Sequence, residues 1–391
     1  MSKGASIGSM QRLRGLGRGP IIGAGAILVA VIAGVVALAV VGREPVPTPS
    51  PSPSSPALPT ERPTASPKPD PTPEPTEAPP AARCPLSGLG VADPLLIDRV
   101  TLAVSIDNHP GARPARNLTR SDLVVEAPVE GDTTRFTAFY LCQQTDGLTG
   151  PVRSGRYYHI DLWQDLHVLP VFFGASWETL ARLDGAGLPY VNGITGAWPW
   201  FGRAGTYVAP HNLYADLEAI RRAAGQNARL DALAGRAGAI RPPFTFDPAV
   251  VLPIGRRVSA LEIRTSSYWR FGWTWDAALD AWRRSDGGRP VTDELSGDPV
   301  TASHVVVQRV VQETIYDDPD PGGNPRRYQH LVGSGAGTLY SGGRAIAVRW
   351  SRPTAADATH WTYEASGDPV VLPPGLIWWE IVPIAAGLTE T

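Results

Sequence analysis

Residues 44–80 hold fifteen of the chain's 40 prolines, set among Ser, Thr, Ala and a few charges, with almost no large apolar side chain. Such a stretch cannot bury enough surface to offset the entropy of ordering it, so it reads as a disordered linker. Whatever folds must lie beyond it. In extended polyproline geometry of about 3.1 Å per residue the linker reaches on the order of 100 Å. A Pro-rich segment can also dock in an aromatic groove, which is the lesser reading here.

Before the linker, Ile21 to Gly42 carry no charge and are mostly Ile, Val, Ala and Leu. As a helix these 22 residues would span about 33 Å, enough to cross a bilayer. Lys3, Arg12, Arg14 and Arg18 precede the run and Arg43 alone follows closely. The positive-inside rule then keeps residues 1–20 cytoplasmic, makes 21–42 a single-pass transmembrane anchor and exports everything after it. A cleavable signal peptide is the competing reading, because Ala37-Leu38-Ala39 fits a small-residue cleavage site. Both readings place the folded part outside the cytoplasm, in the cell envelope.

Removing the five basic residues of 1–43 leaves 30 Lys and Arg against 37 Asp and Glu in the rest, about minus seven. That balance excludes a nucleic-acid partner on bulk electrostatics. The partners expected are the membrane, through the N-terminal helix, and a cell-wall or other envelope component. Cys84 and Cys142 are the chain's two cysteines. Outside the cytoplasm they are candidates for a disulfide closing a loop of about sixty residues, worth roughly 4 kcal/mol on the chain-entropy model. Two separate buried thiols are the alternative.

From Cys84 onward short β-type runs alternate with helical patterns without strict strand-helix-strand repetition, which predicts an α+β class. A mixed N-terminal domain is expected over 84–241, behind a linker taken as 43–83. Strands are predicted at Leu102–Ile106, Leu123–Ala127, Arg135–Leu141 and Val168–Phe173. Helices are predicted from a Ser176 cap to Leu183 and, capped by Asn212, from Leu213 to Ala223. From about Pro242 the texture turns β-rich, predicting a mainly antiparallel C-terminal domain over 242–391. Gly287-Gly288, Gly322-Gly323 and Gly342-Gly343 supply its tight turns.

Polar residues cluster at strand ends in four segments of the first domain. They are Asp107-Asn108-His109-Pro110 with Arg113-Pro114, then Glu126 with Glu130-Gly131 and Thr134-Arg135, then Gly150 to Arg156, and Ala209-Pro210-His211-Asn212. With these blocks in this order the chain resembles the YerB-like family of bacterial envelope proteins, a lipoprotein-type family with no established activity. The resemblance runs from about Leu102 to Pro383. Its second half is the looser part, carried by Trp282–Arg284, Val300–Gln308 and Leu372-Pro373-Pro374-Gly375. The chain departs from the family in lacking a cysteine before Cys84, which implies attachment by protein rather than lipid. Gly155 stands where Ala is common and His304 where Asn is usual.

Because the resemblance brings no reaction, chemistry rests on the residues. Arg113, Arg135, Arg153 and Arg156 could converge on an anion, since a guanidinium holds a carboxylate or phosphate through two hydrogen bonds. Pairing of Arg135 with Glu126 or Glu130 would instead make these charges internal braces. Asp107, His109, Glu130 and His211 are metal-ligand types, but their spacing is not diagnostic, so neither a metal nor a cofactor is expected. Gly174-Ala175-Ser176 lacks the second glycine of a nucleophile elbow, leaving Ser176 as a helix cap. Trp269, Phe271, Trp273 and Trp275 share one strand face, either as core or as a sugar platform. Gly333 to Gly337 read as a hairpin connection.

The expectation is therefore an anchored extracytoplasmic protein binding a polar or anionic envelope ligand. Its site is drawn from Asp107, Asn108, His109, Arg113, Glu126, Glu130, Arg135, Arg153, Arg156, His211 and Asn212. The alternatives are a wall-polymer hydrolase using first-domain carboxylates and histidines, and a structural or protein-partner module.

Overall fold

The structure, a computed structural model, describes residues 82–391 apart from 197, 198 and 225. The predicted cytoplasmic tail, transmembrane anchor and nearly all of the linker lie outside the described residues. Among the described residues no helix is long and apolar enough to cross a membrane.

Among these residues one sheet has 11 strands. In chain order they are β1 (Leu102–Asp107), β2 (Leu123–Pro128), β3 (Thr134–Tyr140), β4 (Leu169–Phe172), β5 (Val191–Asn192), β6 (Arg256–Arg257), β7 (His304–Val310), β8 (Gly333–Ser341), β9 (Arg344–Arg352), β10 (His360–Tyr363) and β11 (Ile377–Pro383). Across the sheet the order is β6-β9-β8-β7-β11-β2-β3-β1-β4-β5, with β10 beside β9. The sheet does not stop at residue 242. β11, from the end of the chain, runs parallel to β2 on one side and β7 on the other, with Glu126 paired to Glu380 in register. Most other pairings in the second half are antiparallel, as the turn glycines imply.

Side chains alternate across this sheet, so neighbours in sequence enter different cores. Leu102, Val104, Ile106 and Trp378 pack on one face, while Ala103, Val125, Phe139 and Trp379 pack on the other. Helices α1 (Tyr157–Leu166) and α2 (Trp177–Gly185) cover the second face with Leu162, Trp163 and Leu183. On the first face lie α3 (Leu217–Ala224) and α4 (Ala228–Ala237), together with a smaller sheet built from Ala260–Arg264, Arg270–Asp276 and Ala281–Asp286. Phe271 and Trp273 are buried in that layer, so the aromatic stripe is core rather than a sugar platform.

Several local expectations are corrected. Leu213–Asp216 is a strand paired with Phe201–Arg203 and Leu148–Thr149, and the helix begins only at Leu217. Asp216, not Asn212, receives the first-turn amide, from Ala219 at 2.8 Å. Leu213, Tyr214 and Ala215 are buried in succession, which a helix exposing one side to solvent would not allow. The glycines from Gly333 lie within β8; a Cβ at Gly335 or Gly337 would strike Trp350 or Trp361, so they are spaces for tryptophan rings. α1 escaped prediction because His159, Asp161 and Asp165 interrupt its apolar face, yet all three are buried.

The cysteine pair forms the Cys84–Cys142 disulfide, 58 residues apart in sequence.

Candidate functional site

β1 and β3 are antiparallel, and Asp107 lies directly opposite Arg135. Opposed residues share a sheet face, so the carboxylate and guanidinium emerge together at the strand end. Residues 150–156 cross that end: the Arg153 amide donates to the Ser105 carbonyl at 2.8 Å and the Val152 amide to the Leu213 carbonyl at 2.6 Å. The first bond brings Arg153 to β1; the second ties the segment to the strand that His211 precedes. Four segments distant in sequence thereby meet.

They line a cleft of about 610 Å³ whose walls include Asp107, His109, Glu130, Arg135, Arg153, Arg156 and His211. Seven of the eleven residues singled out from sequence are thus brought together. Asp107 accepts from the His109 amide at 3.0 Å and bonds His211 Nδ1 through Oδ2 at 2.8 Å. Arg153 Nε is 3.0 Å from the same oxygen. Burial alone would raise the Asp107 carboxyl, but Arg135, Arg153 and the His211 bond outweigh it and hold it below its ordinary range.

The His109 and His211 rings stack, with centroids 4.4 Å apart and planes 11° from parallel. His109 Nδ1 accepts the Gly111 amide at 3.1 Å, and burial together with nearby His211 lowers its pKa. His109 is therefore held neutral.

On the other wall Glu130 accepts from Arg156 Nε at 2.8 Å and lies 3.3 Å from Arg326 Nη1. Burial raises this carboxyl, and Arg156 and Arg135 bring it below its ordinary value. Beneath Arg156, His159 accepts the Arg156 amide on Nδ1 at 2.9 Å and bonds Thr137 through Nε2 at 2.8 Å. Burial keeps that imidazole neutral, fixing its tautomer.

Arg135 differs from its neighbours. It is 3% exposed, and its Nε and Nη1 are shielded from solvent with no hydrogen-bond partner. Asp107 is committed to Arg153 and His211, and Glu130 to Arg156 and Arg326. Neither carboxylate bonds Arg135, although its charge lowers both, so two of its donors are left without a partner beneath the cleft.

Four predicted residues lie elsewhere. Glu126 is fully buried and accepts from Thr134 Oγ1 at 2.6 Å, Arg284 Nη2 at 2.9 Å and Trp378 Nε1 at 3.2 Å, so it braces the two sequence halves. Asn108 donates to Thr134 Oγ1 at 2.6 Å and accepts from Arg113 Nε at 2.9 Å. Arg113 pairs with Asp286 at 3.0 Å and sits over Trp269. Asn212 accepts from Arg203 at 2.7 Å, outside the cleft lining. Ser176 caps α2 by accepting the Thr179 amide at 3.1 Å, as expected, and also lines the cleft.

Sequence reasoning missed the far wall. Asp320, Asn324 and Arg326 come from the second half, beside the Gly322-Gly323 turn. The density of charge from Asp317 to Arg327 was the available signal. Arg326 Nε bonds Asp318 at 2.9 Å, and Asp318 also accepts from Tyr157 Oη at 2.7 Å.

Mixed α and β elements, a sheet shared by both halves and a polar cleft facing both define a two-part α+β protein, and a family model matches each part. The N-terminal domain of the DUF3048 proteins of unknown function matches residues 86–230, and the DUF3048 C-terminal domain matches 261–379. The chain belongs to this YerB-like family. It is 27% identical over 303 residues to the "Putative lipoprotein YerB" of Bacillus subtilis strain 168, covering 77% of this chain and 86% of the relative. The crystal structure of the YerB protein from Bacillus subtilis superposes with a TM-score of 0.65 at 27% identity, covering 78% of this chain and 99% of that one.

Proposed function

We propose that this protein works on the outer side of the membrane, tethered by the uncharged run Ile21–Gly42, and that its cleft captures an anionic group of a cell-envelope component. The single observation carrying this reading is Arg135. A buried guanidinium with two unused donors is costly to keep, because each unsatisfied buried polar group loses about 1–3 kcal/mol. An anion entering the cleft would relieve that cost, and Arg153, Arg156 and Arg326 surround the same space. Trp177, next to the cleft-lining Ser176, is 76% exposed and offers a ring face to the body of such a ligand. The lipoprotein name of the Bacillus relative and the disulfide both suit an oxidising, extracytoplasmic setting.

Calorimetric titration of the full chain with inorganic phosphate, and in parallel with glucuronate as a sugar carboxylate, tests the reading. The expected outcome is binding of at least one probe, weakened about 10- to 100-fold by Arg135→Met, the worth of a charge-assisted hydrogen-bond pair. Undiminished affinity in a variant with native circular dichroism would refute it.

A further inference from the structure

The geometry points to a second capacity of the same cleft: Asp107 and His211 form a general-base pair that hydrolyses a phosphodiester held by the arginines. This rests on the anion-binding reading above and goes beyond capture. His211 lines the cleft and spends Nδ1 on Asp107 Oδ2 at 2.8 Å. With the proton on Nδ1, the lone pair of a neutral imidazole lies on Nε2, the nitrogen left for a water molecule. A carboxylate fixing the ring and tautomer of a histidine is the arrangement by which imidazoles act as bases. Asp107 is itself fixed by the His109 amide and by Arg153, so the pair is rigid at its root.

The substrate class follows from what shares the cavity with the base. Arg135, Arg153, Arg156 and Arg326 favour an anion, and in a phosphodiester the charged group and the reacting atom are one and the same. Arginines that hold the phosphoryl oxygens also stabilise the charge that grows on them during attack. A sugar carboxylate on the same arginines would leave the scissile bond some distance from His211.

In the step, His211 Nε2 takes a proton from water as the water oxygen bonds to phosphorus. The bond from phosphorus to the ester oxygen, opposite the attacking water, breaks with its electron pair going to that oxygen, which takes a proton from solvent while the imidazolium gives its own up to solvent. A phosphomonoester and an alcohol result, and His211 returns neutral. Asp107 acts as a positioning residue, and water is the only co-reactant.

The test uses the full chain with bis(4-nitrophenyl) phosphate, reading nitrophenolate release, alongside calorimetry with inorganic phosphate. The expected result is turnover that His211→Gln lowers by about 100-fold or more, as for loss of a general base, with phosphate affinity retained. If the Gln variant loses its circular dichroism, His211→Asn takes its place. Phosphate binding by the wild type without nitrophenolate release, or equal release by the folded variant, overturns the catalytic role while leaving capture standing. Cleavage of 4-nitrophenyl acetate alone overturns the phosphodiester class. A wild type that binds neither phosphate nor glucuronate and shows no turnover overturns both readings.

Discussion

At the scale of single residues, this protein keeps two kinds of buried charge. Arg135 is left without bonds beside a cleft, whereas Glu126 and Arg284 satisfy each other in the core. Glu380, in the same core, belongs to neither group. It is fully buried opposite Glu126, accepts from Trp273 Nε1 at 2.9 Å on one oxygen and has no partner on the other. Arg284 and Arg113 supply two positive charges, and Glu126 and Asp286 already match them. Burial, with Glu126 nearby, therefore pushes the Glu380 carboxyl well above its ordinary value and keeps it protonated. A carboxyl raised on folding contributes stability that is complete below its unfolded value, near 4.3, and is lost as pH climbs through the folded one. Glu380→Gln, which cannot ionise, is expected to flatten the decline in urea stability between about pH 5 and 8 and to gain about 1 kcal/mol at the upper end. Parallel curves for wild type and variant would show that Glu380 does not titrate in that window.

At the scale of elements, β11 decides the architecture. Its residues Ile377, Trp378, Trp379 and Ile381 are all buried, with the two tryptophans entering opposite cores. Lacking β11, β2 would have a bare hydrophobic edge from Leu123 to Glu126, the kind of edge that pairs with other chains. Residues 82–241 expressed alone are thus expected to aggregate, and co-expression with 242–391 to restore soluble material. Size-exclusion chromatography separates the outcomes: a monodisperse, cooperatively unfolding first half would mean that β11 is dispensable to it. β1 to β4 were legible in the sequence because long apolar runs with turn residues at their ends specify them locally, whereas Leu213–Asp216 and the glycine-rich start of β8 were not. Pairing was not legible, because β2 and β11 are about 250 residues apart and nothing in either strand names its partner.

At the scale of the whole molecule, the order of parts carries the biological argument: an uncharged run, a Pro-rich reach, then a disulfide-bearing body. A reporter enzyme that folds only under oxidising conditions, fused after Thr391, is expected to be active in intact cells. It should lose activity when Ile21–Gly42 are deleted; activity confined to the cytoplasm would end the envelope reading. The cleft also belongs to this scale, since Asp107 and Glu130 come from the first half and Arg326 and Asp320 from the second.

The sequence alone settled what depends on local chemistry: the β-rich texture, the helix cap at Ser176 and the polar clusters at strand ends, whose order also carried the family resemblance. It also drew attention to Asp107, His109, Glu130, Arg135, Arg153, Arg156 and His211, which do meet. Which of them are braces was decided only by tertiary structure. Arg113 has the same chemistry as Arg135 and differs because Asp286 from the other half reaches it, while Glu126 and Glu130 both meet arginines of the other half, one in the core and one at the cleft. A charge becomes available to a ligand only when no partner arrives, and that is a property of distance in the folded chain.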